Sequence, residues 1–148
     1  MGKKYLAGFA LLLVGSACVP PGPDPTSNSG NRCHLDVDAP FFEEWGVQQV
    51  VAGATIECTQ VADEISIHVV LEYETFWDWD ELSSQDSSDF NVATHTELTE
   101  WGCKDRGNHN FKTVANGFVL DDAGTSLWGV NTQTSSHKTF PCNPPERP

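Results

Sequence analysis

The chain has 148 residues, enough for one ordinary domain and too few for two. Eight Lys and Arg stand against 21 Asp and Glu, and the formal net charge of −13 argues against nucleic acid or an anionic membrane surface as an electrostatic partner. Hydrophobic residues make up 39% and aromatic residues 10%, which supplies a packed core and excludes wholesale disorder.

Lys3 and Lys4 precede a ten-residue apolar run, Tyr5 to Val14, that ends in Gly15-Ser16-Ala17. A helix that spans a bilayer needs about 20 residues. A short apolar block between charge and small residues is instead the pattern of a secretory signal peptide, here residues 1–17. Cys18 follows directly. Gly15-Ser16-Ala17-Cys18 resembles the lipobox of bacterial lipoproteins, in which a Cys after small residues is lipid-modified and becomes the mature N-terminus. Gly15 departs from that pattern, which favours Leu there. The resemblance implies acylation of Cys18 by palmitate-type chains, a membrane held through that anchor, and display on the outer face of a bacterial cytoplasmic membrane. The alternative is cleavage after Ala17 and free secretion, since Gly15 and Ala17 are both small. Residues 19–31 (VPPGPDPTSNSGN) read as a solvated tether that cannot pack. Residues 32–142 then form the domain and 143–148 a tail. Loss of residues 1–17 removes two lysines and no acid, so the mature net charge is −15.

Cys33, Cys58, Cys103 and Cys142 remain, an even set that implies two disulfides with three connectivities. Strand alternation narrows the choice. Antiparallel pairing about Trp45-Gly46 sets Cys33 opposite Cys58, Leu35 opposite Ile56, Val37 opposite Ala54, Ala39 opposite Ala52 and Phe41 opposite Val50. Pairing about the turn at Asp121-Asp122-Ala123-Gly124 sets Cys103 opposite Cys142, Phe111 opposite Thr134, Ala115 opposite Val130 and Gly117 opposite Trp128.

Between the two hairpins, Ile65, Ile67, Val69, Leu71, Tyr73 and Trp77 take the odd, inward positions of the clearest strand in the chain, with Val70 as its outward aliphatic. Phe90, Val92, Thr94, Thr96 and Leu98 form a weaker strand whose inward face lies on even positions. No helical period appears after the tether. The expected fold is all-β, an antiparallel sandwich of six or seven strands. This order of cysteines and strands, with Gly107 and Phe111 after Cys103, is similar to small exported proteins of actinobacteria. That resemblance implies an immunoglobulin-like sandwich and supplies no catalytic residues.

The most unusual segment is Phe76 to Asp89, FWDWDELSSQDSSD. Phe76 and Trp79 beside Asp78, Asp80 and Glu81 have the composition of a binding surface, the alternative being a cap over the sandwich. Trp77 is read as the core anchor of the preceding strand. An EF-hand loop fails, because Leu82 and Ser83 occupy the fifth and sixth positions after an Asp78 start. An irregular calcium site using Asp78, Asp80, Asp86 and Asp89 is the weaker alternative, and no other cofactor is indicated. Paired carboxylates near Trp79 would also suit a small secreted hydrolase acting on sugars. His34, His68 and His95 face outward by parity, His109 and His137 form no close pair, and no G-x-S-x-G elbow is present for a serine triad. Trp128 reads as core, while Trp45 and Trp101 lie at turns. The expected role is non-enzymatic binding or shielding at the cell envelope toward an unidentified envelope or extracellular protein. Exclusion of competing phages by a phage-encoded surface lipoprotein is one form of it.

Overall fold

The computed structural model describes residues 31–104, 107–120 and 126–144, the stretch 126–131 by its backbone alone. The expected signal peptide, Cys18 and the tether up to residue 30 lie outside the described residues. The strands are β1 (Cys33–Val37), β2 (Phe41–Glu43), β3 (Gln49–Glu74), β4 (Trp79–Gly102), β5 (Asn108–Leu120), β6 (Ser126–Thr134) and β7 (Lys138–Pro141). Among the described residues there is no helix, and so none long and apolar enough to cross a membrane. The fold is all-β and antiparallel throughout.

The seven strands form one sheet where two stacked sheets were expected. β3 is its spine: β4 lies along one edge, while β1, β2 and β5 share the other. β6 and β7 follow one another along the far edge of β5. The sheet curls because its two longest strands bend. β3 and β4 lose register between Glu57 and Ala62, and Asn91 adopts a left-handed φ of 57°, which Asn tolerates better than most residues. The bend folds the hairpin over itself as a curled half-barrel. Ser83 on one limb of β4 bonds Thr99 on the other at 2.6 Å.

The inner face matches the period-two pattern of β3. Val50, Ala52, Ala54 and Ile56 are buried before the bend, and Ile65, Ile67, Val69, Leu71 and Tyr73 after it. Phe111, Ala115 and Val119 of β5 and Leu35 of β1 complete the core. Gly117 is required here. A Cβ on it would collide with the Ser66 carbonyl oxygen and come within 2.7 Å of Ile56 Cδ1, so only glycine lets β5 lie under the folded limb.

Both disulfides join the expected partners, Cys33 to Cys58 and Cys103 to Cys142, across sequence separations of 25 and 39. Each stabilises by about 3–4 kcal/mol on the chain-entropy model. The registers around them differ in part. β1 pairs as expected from Cys33–Cys58 to Val37–Ala54, but beyond Pro40 the chain slips by one, so Phe41 faces Val51 and Phe42 faces Val50. Proline cannot donate to the ladder, and the slip turns Phe42 inward while Phe41 stays exposed. In the second hairpin Gly117 pairs with Val130, Ala115 with Gln133 and Phe111 with Lys138. Irregularities after Ala115 and Val119 displace the symmetric register, and Trp128 pairs with Val119 rather than Gly117.

β4 reverses the expected parity over most of its length: His95 and Thr99 are buried, whereas Phe90, Thr94, Thr96 and Leu98 are exposed, and Val92, opposite Ala62 at the bend, packs against the core as expected. Pairing with β3 decides this, since inward Ile56 and Ala52 stand opposite His95 and Thr99. Leu98 lies instead across Gly53 on the outer face, covering backbone that the glycine leaves bare. Val70, read as outward, does lie on the outer face but is only 7% exposed.

Candidate functional site

β3 begins after one turn and ends at another. The bend in β3 brings both turns to the same end of the domain. Phe42, beside the first turn, stacks on Phe140 at 6.0 Å, and Phe140 meets Phe111, the register partner of Tyr73 near the second. The Cys103–Cys142 bridge closes this end, and the Cys103 amide donates to the Gln48 carbonyl.

The first turn carries Trp45, 96% exposed, with Val47 also in solvent and Gly46 at φ 91° where glycine is at ease. The second spans residues 75–78. The Thr75 hydroxyl and amide both donate to the Asp78 carbonyl at 2.7 Å, and the Trp79 amide donates to Asp78 Oδ1 at 2.8 Å. A turn closed so completely leaves its middle residues outside. Phe76 and Trp77 are 86% and 90% exposed and meet edge to face at 4.5 Å. Trp77, expected as a core anchor, is therefore a solvent-exposed turn residue, because β3 stops at Glu74 before the alternation reaches it.

Trp79 behaves differently. It opens β4, is half-buried, and lies flat enough for Lys112 Nζ to sit 4.3 Å from its ring centre. Lys112 is also paired with Glu72 at 3.0 Å, and the His137 ring is 6.3 Å away. Thus Trp79 packs on the outer face of the sheet, and Phe76 with Trp77 forms the free aromatic tip. Asp78 closes the turn beside this tip, and Asp80 and Glu81 follow on β4, opposite Tyr73 and Glu72 in the ladder. Four large apolar side chains, Trp45, Val47, Phe76 and Trp77, stand in water at this end of the domain and are the candidate interaction surface.

The rest of the expected loop, 79–89, is strand. Asp86 bonds His68 at 2.7 Å, while Asp89 bonds His95 at 2.9 Å. Three residues apart on one strand, these two carboxylates serve opposite faces. Asp78, Asp80, Asp86 and Asp89 do not converge, and among the described residues no group of three or more His, Cys, Asp or Glu is placed to hold a metal ion.

His95 is not the outward residue that parity suggested. It is 7% exposed, its Nδ1 bonds Asp89 Oδ2 at 2.9 Å, and its Nε2 meets Ser87 Oγ at 2.6 Å. This is the order of a Ser-His-Asp relay, assembled by the bend. Together with Ser83–Thr99 it forms a polar seam where the two limbs of β4 close over the core. No sequence motif marked it, because its members meet only when Asn91 turns the strand back. The other histidines are peripheral: His34 bonds Asp36 at 3.2 Å and His109 bonds Asn143 at 3.0 Å. Trp101 packs beside the core with its Nε1 buried and unpartnered, and the Trp128 side chain lies outside those described.

No protein-family model and no curated protein matches the chain. Among solved structures, one described as a late embryogenesis abundant (LEA) protein aligns over 75% of this chain and 72% of its own, at 8% identity and a TM-score of 0.39. A likeness that loose carries nothing across.

Proposed function

We propose that this is an exported, lipid-anchored envelope protein that binds an envelope or extracellular protein through the aromatic pole. The observation that supports it is the polarity of the domain. Asn31, the last residue of the tether segment, is tied to Gln60 at the bend by bonds of 3.2 and 3.0 Å, and β1 starts beside it at Cys33. The aromatic turns lie at the opposite end. A domain held by its N-terminus would present Trp45, Phe76 and Trp77 away from the bilayer, where a partner could reach them. Its acidic charge would keep that pole off an anionic membrane.

Mass spectrometry of the mature protein should find a diacylglyceryl group on an N-terminal Cys18, and Cys18→Ala should leave the membrane fraction. Dual acylation is expected, since one chain anchors marginally. A soluble mature protein with unmodified Cys18 ends the anchored reading. A hydrolase is the second reading, and the Ser87–His95–Asp89 relay now favours it over carboxylates near Trp79. Labelling by a fluorophosphonate probe, lost in Ser87→Ala, would support it; an unlabelled native protein would remove it.

A further inference from the structure

We propose that the outer face of the sheet, across β4, β3 and β5, binds a neutral pyranose glycan. A groove of about 480 Å³ lies there, lined by Ser66, His68, Asp86, Ser88, Asn116 and Phe118 among others. That volume is in the range of small-ligand sites, about 300–1,000 Å³. The ladder builds it in two rows: Ser88, Ser66 and Phe118 face one another, and Asp86, His68 and Asn116 form the next row.

The floor is small and internally bonded. Ser66 Oγ bonds Ser88 Oγ at 2.5 Å and Glu64 Oε1 at 3.0 Å. The wall is not saturated. Asp86 accepts from His68 Nδ1 through one oxygen at 2.7 Å, and His68 Nε2 bonds no other side chain among the described residues. Among the described residues the second Asp86 oxygen accepts no hydrogen bond, so it can take a hydroxyl proton. Asn116, at the irregularity between Ala115 and Gly117, makes no side-chain hydrogen bond among the described residues and offers both N–H donors and a carbonyl. Phe118 is 41% exposed at the groove margin, and Phe90, opposite Glu64 one step along, is exposed on the other side.

Donors and acceptors of both kinds in one row, with an aromatic beside them, match vicinal hydroxyls above an apolar C–H face. Each hydroxyl both gives and accepts, as Asp86, His68 and Asn116 require. Phosphate or an acidic sugar would meet the Asp86 and Glu64 carboxylates. An apolar ligand would bury Asn116 and the unbonded atoms of His68 and Asp86 without partners. The site lies on the sheet face and does not depend on the aromatic pole.

The test is an array of neutral oligosaccharides of glucose, galactose, mannose and their N-acetylated amino sugars, probed with the intact domain. Saturable binding is expected, weakened at least tenfold by Phe118→Ala, Asn116→Ala and Asp86→Asn and unchanged in Phe76→Ala/Trp77→Ala. Asn116 makes no side-chain bond among the described residues, so Asn116→Ala keeps the test valid even if Asp86→Asn perturbs folding. Silence across the array overturns the proposal, as does binding that survives Phe118→Ala and Asn116→Ala or is lost only with the aromatic turn.

Discussion

β3 and β4 lie side by side for most of their length, but the two strands do opposite things. β3 buries apolar side chains on its inner face from Val50 to Tyr73. β4 presents Ser83, Ser87, Asp89, His95 and Thr99 to the same interior and leaves Phe90 and Leu98 in solvent. The difference follows from position. β3 has neighbours on both edges, so its inner face must be apolar to be covered. β4 pairs only with β3, and its inward groups reach one another across the bend. An edge strand can therefore close part of a core with hydrogen bonds where a central strand needs hydrocarbon, and Leu82, Val92 and Trp101 of β4 supply hydrocarbon beside that seam.

This contrast can be broken at four points, in descending effect. Ile67→Ala removes a fully enclosed side chain from β3 and should cost about 2–5 kcal/mol in chemical denaturation. A loss below 1 kcal/mol would mean that the folded limbs do not pack on Ile67. On β4, His95→Ala strands Ser87 and Asp89 at the seam and should cost about 1–3 kcal/mol, read in the same assay. An equally stable variant would show that the seam is solvated and not part of the core. Asn91→Ala should cost about 1–2 kcal/mol for the left-handed backbone, while Asn91→Gly should be close to neutral. Equal stabilities for these two would place the bend elsewhere. Trp77→Ala should move stability by no more than about 0.5 kcal/mol, since the side chain is in water. A larger fall would mean that the aromatic tip is folded back as a cap.

Local chemistry, legible residue by residue, determined much of this protein. The alternation at 65–73 announced a half-buried strand because every second side chain must share one face. The apolar pairs between Leu35 and Ile56 placed Cys33 against Cys58. The Cys103–Cys142 partnership was also legible, although the register drawn around it was displaced by irregularities that composition does not mark. The tertiary structure alone decided three things. It merged the strands into one folded sheet, since the bends between Glu57 and Ala62 and at Asn91 are single backbone events with no periodic trace. It ended β3 at Glu74 and so put Trp77 in water, where an uninterrupted count had buried it. It set Ser87, Asp89 and His95 together, and Asp86, His68 and Asn116 in one row, because strand pairing joins residues by register and not by distance along the chain.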